Sequence, residues 1–109
     1  MTTRLTGRHV EITSELKTYI EKKLSKLDRY NVHIVDSELI LYRENNFNWA
    51  EGILHLKNDK VTTRVKAANF EQAIHDLTEK LVRQMDRFEG KHRAKVRPRR
   101  ALGAETEET

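Results

Sequence analysis

Regularly spaced lysines and arginines are the residues of this sequence with the clearest capacity for chemistry. Lys80, Arg83 and Arg87 recur every three or four residues, so they line one side of a helix that advances about 100° per residue. Glu79 and Asp86 fall on the opposite flank of the same helix. A helix optimised only for solubility would tend to mix the two signs. A separate cationic row is instead typical of a surface that binds phosphate groups.

An earlier helical segment repeats this separation of charge. Lys22, Lys26 and Arg29 fall on one side of its apolar stripe, and Glu21 and Asp28 fall on the other. Both helices therefore carry a basic row on the same side of their apolar stripe. If the helices pack side by side, only one relative orientation joins the two rows into a single surface, and the sequence leaves that orientation open.

The basic segment continues beyond the last row as an arm. Residues 91–100 contain six Lys or Arg residues, among them Lys91 and Arg93, and no acid. Long cationic side chains reach backbone phosphates without reading a base sequence. An alternative interpretation is a solvated amphipathic helix followed by a disordered basic tail, and the charge pattern alone leaves that alternative open.

Patterns typical of catalysis or metal binding are missing from the sequence. Its five histidines follow no zinc-binding spacing and it has no cysteine, which excludes thiolate zinc sites and a disulfide framework. It also lacks a glycine-rich phosphate loop and a nucleophile elbow. We therefore expect no enzyme activity, no catalytic residue, no metal or other cofactor and no small-molecule substrate.

Composition and charge indicate one small domain with a polyanionic partner. The 109 residues are 37% hydrophobic and 35% charged, with a net charge of +4. Three acids stand among the last five residues, so residues 1–104 carry +7. No apolar run approaches the roughly 18 residues of a membrane span, and the N-terminus lacks the apolar core of a signal peptide. We expect a cytoplasmic protein with no membrane partner.

Two helices and four strands are predicted to position the basic rows, in the order β-α-β-β-β-α. Apolar residues recur at helical spacing in two segments, and β-branched residues dominate most of the others. The elements are expected at about 5–12, 14–30, 33–43, 49–57, 60–68 and from 69 onwards. Both helices must bury an apolar stripe against one sheet. The predicted fold class is therefore α+β, with a four-stranded mixed sheet and two helices packed on one face.

Polar and small residues indicate where these elements begin and end. Thr13 is predicted to cap the first helix, and Asn69 with Gln72 matches a capping box at the start of the last one. Gly7 interrupts the first strand. Gly90 either ends the last helix or lies in its last turn, and the proline at position 98 lies outside it.

A two-residue loop of Asn58 and Asp59 is predicted to join the last two strands, because both residue types tolerate positive φ. The resulting register places apolar pairs on one face and mostly polar pairs on the other. The predicted pairs on the apolar face are Leu56 with Val61, Leu54 with Thr63, Gly52 with Val65 and Ala50 with Ala67.

Four apolar or aromatic residues are predicted on the sheet face away from the helices. They are Ile40, Tyr42, Trp49 and Ile53. We interpret them as scattered surface residues or as a tryptophan folded over a loop, with a contact patch for a protein partner as the alternative.

Three stretches of the chain resemble a known family. They read TGRHVEIT, ELKTYIEKKLSKLDRY and NFEQAIHDLTEKLVRQMDRF. Together with the order β-α-β-β-β-α, they resemble the ribosome hibernation promoting factor and ribosome-associated inhibitor family, often labelled sigma-54 modulation proteins. The resemblance covers about residues 1–93. At the last helix Asn69, Phe70 and Glu71 stand where that family usually has Asp, Met and Tyr, so Glu71 lacks the family's aromatic ring.

The resemblance implies that the chain binds the small ribosomal subunit and its rRNA during stationary phase or stress. Members of that family lie in the channel used by mRNA and tRNA anticodon stems and so inhibit translation. Their basic helix residues face the rRNA. The matching rRNA-binding candidates here are Lys22, Lys26, Arg29, Lys80, Arg83, Arg87, Lys91 and Arg93.

The same resemblance predicts the domain organisation. Residues 1–93 are expected to form the ribosome-binding domain, and residues 94–109 a basic and then acidic tail that is disordered. The ending ALGAETEET resembles both a short acidic extension and the first residues of a linker to a further domain. Because the sequence shows no dimerisation domain, we expect a monomer. Two other functions stay open: a generic double-stranded RNA-binding module and a protein-binding regulator of a sigma factor.

Overall fold

Alternating strands and helices build one layered domain in the computed structural model, which describes the backbone of residues 2–96 and the side chains of residues 3–90. The elements follow the predicted order β-α-β-β-β-α. They are β1 Thr2–Gly7, α1 Ser14–Leu24, a 3-10 helix Ser25–Tyr30, β2 Ile34–Glu44, β3 Phe47–Leu56, β4 Lys60–Ala67 and α2 Phe70–Val96. The predicted Pro98 boundary and most of the predicted tail lie outside the described residues.

The four strands form a single mixed sheet in the order β1-β2-β3-β4. β1 pairs with β2 in parallel, whereas β2–β3 and β3–β4 are antiparallel. A parallel pair needs a crossover connection, and α1 with its 3-10 extension supplies it between β1 and β2. The predicted α+β fold with a four-stranded mixed sheet is confirmed.

Both helices cover the same face of the sheet. On β2, Leu39 and Leu41 are buried, while Ile40 between them is half-buried on the other face. On α2, Leu77 and Leu81 are fully buried against β3. At their contact a Cβ on Gly52 would lie 3.2 Å from Leu77 Cδ2 and 3.0 Å from Leu81 Cδ1. The glycine therefore lets α2 approach the sheet closely.

The first helix is shorter than predicted. Its α-helical part ends at Leu24, and residues 25–30 continue as a 3-10 helix. Leu24, Leu27 and Tyr30 are all buried. A 3-10 helix has about three residues per turn and so aligns residues three apart, whereas an α-helix would rotate this row away from the core. Burial of this row explains the change of helix type.

The first strand also differs from the prediction, since it ends at Gly7 and excludes Val10 and Ile12. A Cβ on Gly7 would lie only 2.2 Å from the carbonyl oxygen of Val10. The chain turns back on itself here, and His9 takes a φ of 58°. Val10 and Ile12 still pack against the core from this turn. Their apolar character therefore reflects burial and not strand pairing.

The predicted register of β3 and β4 is wrong by two residues. Leu54 pairs with Val61, Gly52 with Thr63 and Ala50 with Val65. The connection is longer than two residues, with the Leu56 amide donating to the Asp59 carbonyl at 2.8 Å. Because side chains alternate with a period of two, the shift preserves the predicted faces.

The two-residue hairpin lies instead between β2 and β3. Asn45 and Asn46 have φ of 54° and 66°, and Glu44 pairs with Phe47 across them. Positive φ at both central positions is the geometry that matches the twist of a tight hairpin. The residues predicted as a turn at 44–48 therefore contain only a two-residue loop, and Phe47 already belongs to β3.

Both predicted N-caps are present, but the reciprocal half of the predicted capping box is not formed, because the Gln72 side chain donates to Asp76 Oδ1 at 2.9 Å. The Leu16 amide donates to Thr13 Oγ1 at 3.1 Å, and the Gln72 amide donates to Asn69 Oδ1 at 2.8 Å. Of the two alternatives for Gly90, the structure has it inside α2, which continues to Val96. The backbone of α2 thus continues through Lys91 and Arg93, beyond the basic row. The side chains of these two residues lie outside the described part.

Candidate nucleic-acid interface

The two helices lie side by side and run in the same direction. Four contacts join them in a seam, and the residue numbers rise together on both sides. The contacts are Tyr19 Oη to the Glu71 carbonyl at 3.3 Å, Lys23 Nζ to His75 Nδ1 at 3.0 Å, Lys26 Nζ to Glu79 Oε2 at 2.9 Å, and Tyr30 Oη to Asp86 Oδ1. This parallel arrangement decides how the two basic rows are related.

The two basic rows do not merge, because the α1 row faces the seam and the α2 row lies on the far side of α2. In a parallel pair, the basic flank of α1 faces the acidic flank of α2, since both helices carry their rows on the same side. Lys26 therefore lies in the seam against Glu79, while Lys80 and Arg83 point away from α1, towards the β4 edge. The solvent-facing helix layer presents two separate cationic rows.

Four of the five described carboxylates of α2 contact other side chains of the domain. Three contact a neutral or weakly basic side chain, and one pairs with Lys26. The contacts are Gln72 to Asp76 at 2.9 Å, Lys26 to Glu79 at 2.9 Å, Tyr30 to Asp86, and His33 to Glu89 at 3.4 Å. None of these four contacts uses a cation of the α2 row.

Five of the candidate residues are exposed cations that form no ion pair with any other described residue. They are Lys22 and Arg29 on the first helical segment, and Lys80, Arg83 and Arg87 on α2. Arg29 also lies over the ring of Tyr30, 5.1 Å from its centroid. Lysine and arginine side chains that are solvated and unpaired can exchange counterions for phosphates at little cost.

The Tyr30–Asp86 contact anchors the end of the 3-10 helix to α2. Burial, the hydrogen bond to Asp86 and the charge of that carboxylate raise the pKa of Tyr30 to about 12. The unfolded tyrosine has a pKa of about 10. At the partly exposed Lys26–Glu79 pair, the hydrogen bond and charge of Lys26 hold the pKa of Glu79 below its usual value.

We predict that alkaline pH removes the stabilisation contributed by Tyr30. Because its pKa is higher in the folded state, the unfolded state loses the proton first and the stabilisation disappears between pH ~10 and ~12. The loss amounts to about 2–3 kcal/mol, at 1.36 kcal/mol for each pKa unit. Urea unfolding across this pH range should show the loss in the wild type and a flatter profile in Tyr30→Phe. Identical pH profiles for both proteins would show that the alkaline loss of stability does not come from Tyr30.

A groove along the β4 edge contains two cations that the sequence analysis did not select. It has a volume of about 540 Å³, and its lining includes Arg64 and Lys66 of β4 beside Lys80 and Arg83 of α2. The available signal was the alternation of Lys60, Thr62, Arg64 and Lys66 along one face of an edge strand. In the sequence alone, an ordinary solvated sheet face would show the same alternation.

Neither a metal site nor a membrane span is found in the part of the chain that the structure describes. No three His, Cys, Asp or Glu side chains converge there in a way that could hold a metal ion. None of its helices combines the length and hydropathy needed to cross a bilayer.

Comparisons with known proteins agree with this fold. Residues 3–93 match the family described as sigma 54 modulation protein / S30EA ribosomal protein. The chain is 29% identical over 91 residues to a ribosome hibernation promoting factor of Salmonella typhimurium, covering 84% of this chain and 96% of that protein. It is 34% identical over 94 residues to a ribosome hibernation promotion factor of Deinococcus radiodurans, covering 82% of this chain. It spans about half the length of the Deinococcus protein, 49%.

Two solved structures are similar to the domain. The N-terminal domain of Protein Y from Thermus thermophilus superposes with a TM-score of 0.70 at 32% identity, covering 78% of this chain and 94% of that one. A ribosomal subunit interface protein from Coxiella burnetii superposes with a TM-score of 0.78, covering 83% and 99%. At 19% sequence identity, this second match supports a shared fold and nothing further.

Proposed function

Because the chain belongs to the sigma 54 modulation protein / S30EA ribosomal protein family, we propose that it inhibits translation by binding the small ribosomal subunit. It acts as a ribosome hibernation factor. The relatives from Salmonella and Deinococcus carry that function in their names. Those names describe ribosome-associated proteins and no reaction, in agreement with the prediction that the chain is not an enzyme.

The observation that carries the proposal is the division of charge on the helix layer. Lys22, Arg29, Lys80, Arg83 and Arg87 are exposed and form no ion pair in the described chain, while most α2 carboxylates are engaged within the fold. Two parallel cationic rows fit the backbones of folded rRNA, in which phosphate-bearing strands run beside one another. Lys26 acts mainly by closing the seam, since Glu79 already holds its ammonium group.

The proposed binding position is the channel of the small subunit through which mRNA and tRNA anticodon stems pass. Residues 1–93 form the binding domain, and the arm with Lys91 and Arg93 extends the α2 row along the same RNA. The protein works in the cytoplasm as a monomer and needs no cofactor, because occupying the channel requires only contacts to phosphates. Such binding is reversible and weakens steeply as salt rises.

Competition between the chain and tRNA for small subunits tests the proposed binding position in the channel. Subunits loaded beforehand with an mRNA fragment and an initiator tRNA should retain much less of the chain than empty subunits do. Addition of excess chain to empty subunits should in turn lower tRNA retention. Simultaneous, independent retention of the chain and the tRNA would exclude the channel as the binding position, whatever the affinity for the subunit.

A further inference from the structure

A cluster of aromatic rings and cations lies on the sheet face opposite the helices, at the end of the sheet near the Asn45–Asn46 hairpin. We call it the open-face cluster. Its members are Arg8, Tyr42, Phe47, Trp49, Arg64 and Lys66. None of these side chains belongs to the two basic rows on the helices, so the proposed function does not account for the cluster.

The rings of the cluster form a short platform. Tyr42 and Trp49 are directly paired across β2 and β3, and their rings are parallel within 3° with centroids 6.0 Å apart. The Trp49 indole donates to the Glu44 carbonyl at 3.2 Å, which fixes the ring. Phe47, which is 40% exposed, stands next to the platform on the same strand. Tyr42 and Trp49 therefore pack on each other, and the bond from Trp49 to Glu44 fits the predicted alternative of a tryptophan folded over a loop.

Each ring of the cluster has a cation above it. Arg64 lies 4.9 Å from the Trp49 ring centroid, and Lys66 lies 4.4 Å from that of Phe47. Arg8, which follows β1, lies 5.6 Å from the centroid of Tyr42. Aromatic rings interleaved with arginine and lysine are the combination that single-stranded nucleic-acid sites use.

The cations of the open-face cluster form no ion pair with described residues, unlike Arg4 at the opposite end of the same face, although Glu51 lies directly opposite Arg64 in the sheet. At that far end, Arg4 pairs with Glu38 at 2.6 Å and with Asp36 at 3.6 Å, and His55 lies 3.4 Å from Glu38. Arg8, Arg64 and Lys66 form no such pairs with described residues. The charges at one end of the face are thus ion-paired, whereas the cations at the end that carries the rings form no ion pair with described residues.

We propose that the open-face cluster is a second RNA site, which binds single-stranded RNA. Bases stack on Tyr42 and Trp49 in place of the cations that cover these rings in the free chain, and Arg64 and Lys66 then bind the neighbouring phosphates. Paired bases in a duplex are stacked on each other and do not offer their faces to a protein. The occupant is therefore an unpaired strand. This site goes beyond the proposed function, because it lies on the other side of the sheet from the helix rows.

The groove along the β4 edge connects the open-face cluster with the α2 row. Trp49, Arg64 and Lys66 line it from the sheet side, and Lys80 and Arg83 line it from α2 together with the acids Asp76 and Glu79. A strand that stacks on Trp49 can thus follow the groove towards the α2 row. An acidic protein segment would satisfy the cations but would leave the stacking surfaces of the rings unused.

Tryptophan fluorescence reads this site directly, because Trp49 is the only tryptophan of the chain. Titration of the full chain with a short single-stranded oligoadenosine RNA is expected to quench the emission of Trp49. Duplex RNA and inorganic polyphosphate at equal phosphate concentration should quench it far less. Equal quenching by polyphosphate would overturn the proposal, because it would show a cationic surface without base stacking. No quenching by the single strand would overturn it as well.

Variants with a matched control test the named residues. Arg64→Ala with Lys66→Ala should weaken binding about tenfold or more and lower the salt dependence by about 1.4 in log–log slope, at about 0.7 per phosphate contact. Lys57→Ala with Lys60→Ala removes the same charge from the loop and far end of the same strand and should change binding less than about twofold. Equal weakening by both pairs would overturn the assignment.

A ring variant and a helix variant separate stacking from the ribosome proposal. With fluorescently labelled RNA, Trp49→Leu should bind about fivefold or more weakly, the loss expected from one stacked base. An unchanged affinity in a folded Trp49→Leu variant would overturn the proposal that a base stacks on Trp49. Lys22→Glu with Arg29→Glu should lose small-subunit retention yet keep quenching by the oligoadenosine, since these residues lie on the other side of the sheet. Loss of that quenching would assign the RNA to the helix rows instead.

Discussion

Reversing the charge of Lys80, Arg83 and Arg87 to Glu is expected to abolish binding to the small ribosomal subunit. Each of these cations is exposed and unpaired within the described chain, and a hydrogen bond to a charged group contributes about 1.5–3 kcal/mol. Loss of three such contacts weakens binding about a thousandfold or more. Any residual binding should also depend less on salt, with a log–log slope lower by about 3.

The same variant is expected to keep the fold. Exposed side chains without structural partners usually change the free energy of unfolding by less than about 0.5 kcal/mol. The matched control is Lys17→Glu, Lys57→Glu and Lys60→Glu, which changes the net charge equally at exposed positions outside both rows. Sedimentation with small subunits and urea unfolding measure the two properties. An equal loss of binding in the control would mean that net charge, and not the α2 row, determines binding.

Leu77→Ala is expected to cause the largest loss of stability among single substitutions at the helix–sheet contact. Leu77 is completely buried and lies over Gly52, where α2 packs closely on β3. Deleting its side chain leaves a cavity that the rigid sheet cannot fill. Such truncations cost about 2–5 kcal/mol, a large part of the 5–15 kcal/mol that stabilises a typical domain.

Thermal and urea unfolding measure this loss. The midpoint of thermal unfolding should fall by about 8 °C or more, since about 1 kcal/mol corresponds to 4–8 °C in a domain of this size. Val35→Ala is the control, because Val35 is 57% exposed and its truncation should cost less than about 0.5 kcal/mol. A cost below about 1 kcal/mol for Leu77→Ala would show that α2 is not held by this contact.

Local patterns were sufficient to predict the elements and the residues on each helix face. Thr13 and Asn69 cap the two helices because a side-chain oxygen satisfies a free backbone amide, a requirement that depends on a few neighbouring residues. The burial of Leu77 and Leu81 follows from helical periodicity alone. For the same reason the cations of both rows are exposed on the flanks where the helical wheel placed them.

The relation between the two rows depended on tertiary packing and was not predictable from the sequence. A helical wheel shows on which side of a helix each residue lies. It does not show whether the neighbouring helix runs in the same or in the opposite direction. Only the observed pairs Lys26–Glu79 and Tyr30–Asp86 show that the helices are parallel and that the acidic flank of α2 lies in the seam. The sequence could therefore identify the rows but not their separation.

The hairpins show the same limit at a shorter range. Both Asn45–Asn46 and Asn58–Asp59 are suited to a tight turn by residue type, yet only the first pair has positive φ at both positions. Both registers of β3 and β4 bury Leu54 and Leu56 on the same face, so hydrophobic patterning does not choose between them. The longer connection, closed by the bond from the Leu56 amide to the Asp59 carbonyl, marks the observed register, and turn composition misassigned it.

The most direct test of ribosome binding is sedimentation of the purified chain with separated small and large ribosomal subunits, at low and at moderately high salt. We predict retention on the small subunit alone, lost as salt rises because several phosphate contacts are made. Equal retention on both subunits, together with binding to any duplex RNA, would identify a generic RNA-binding module. No retention at either salt concentration would contradict ribosome binding altogether.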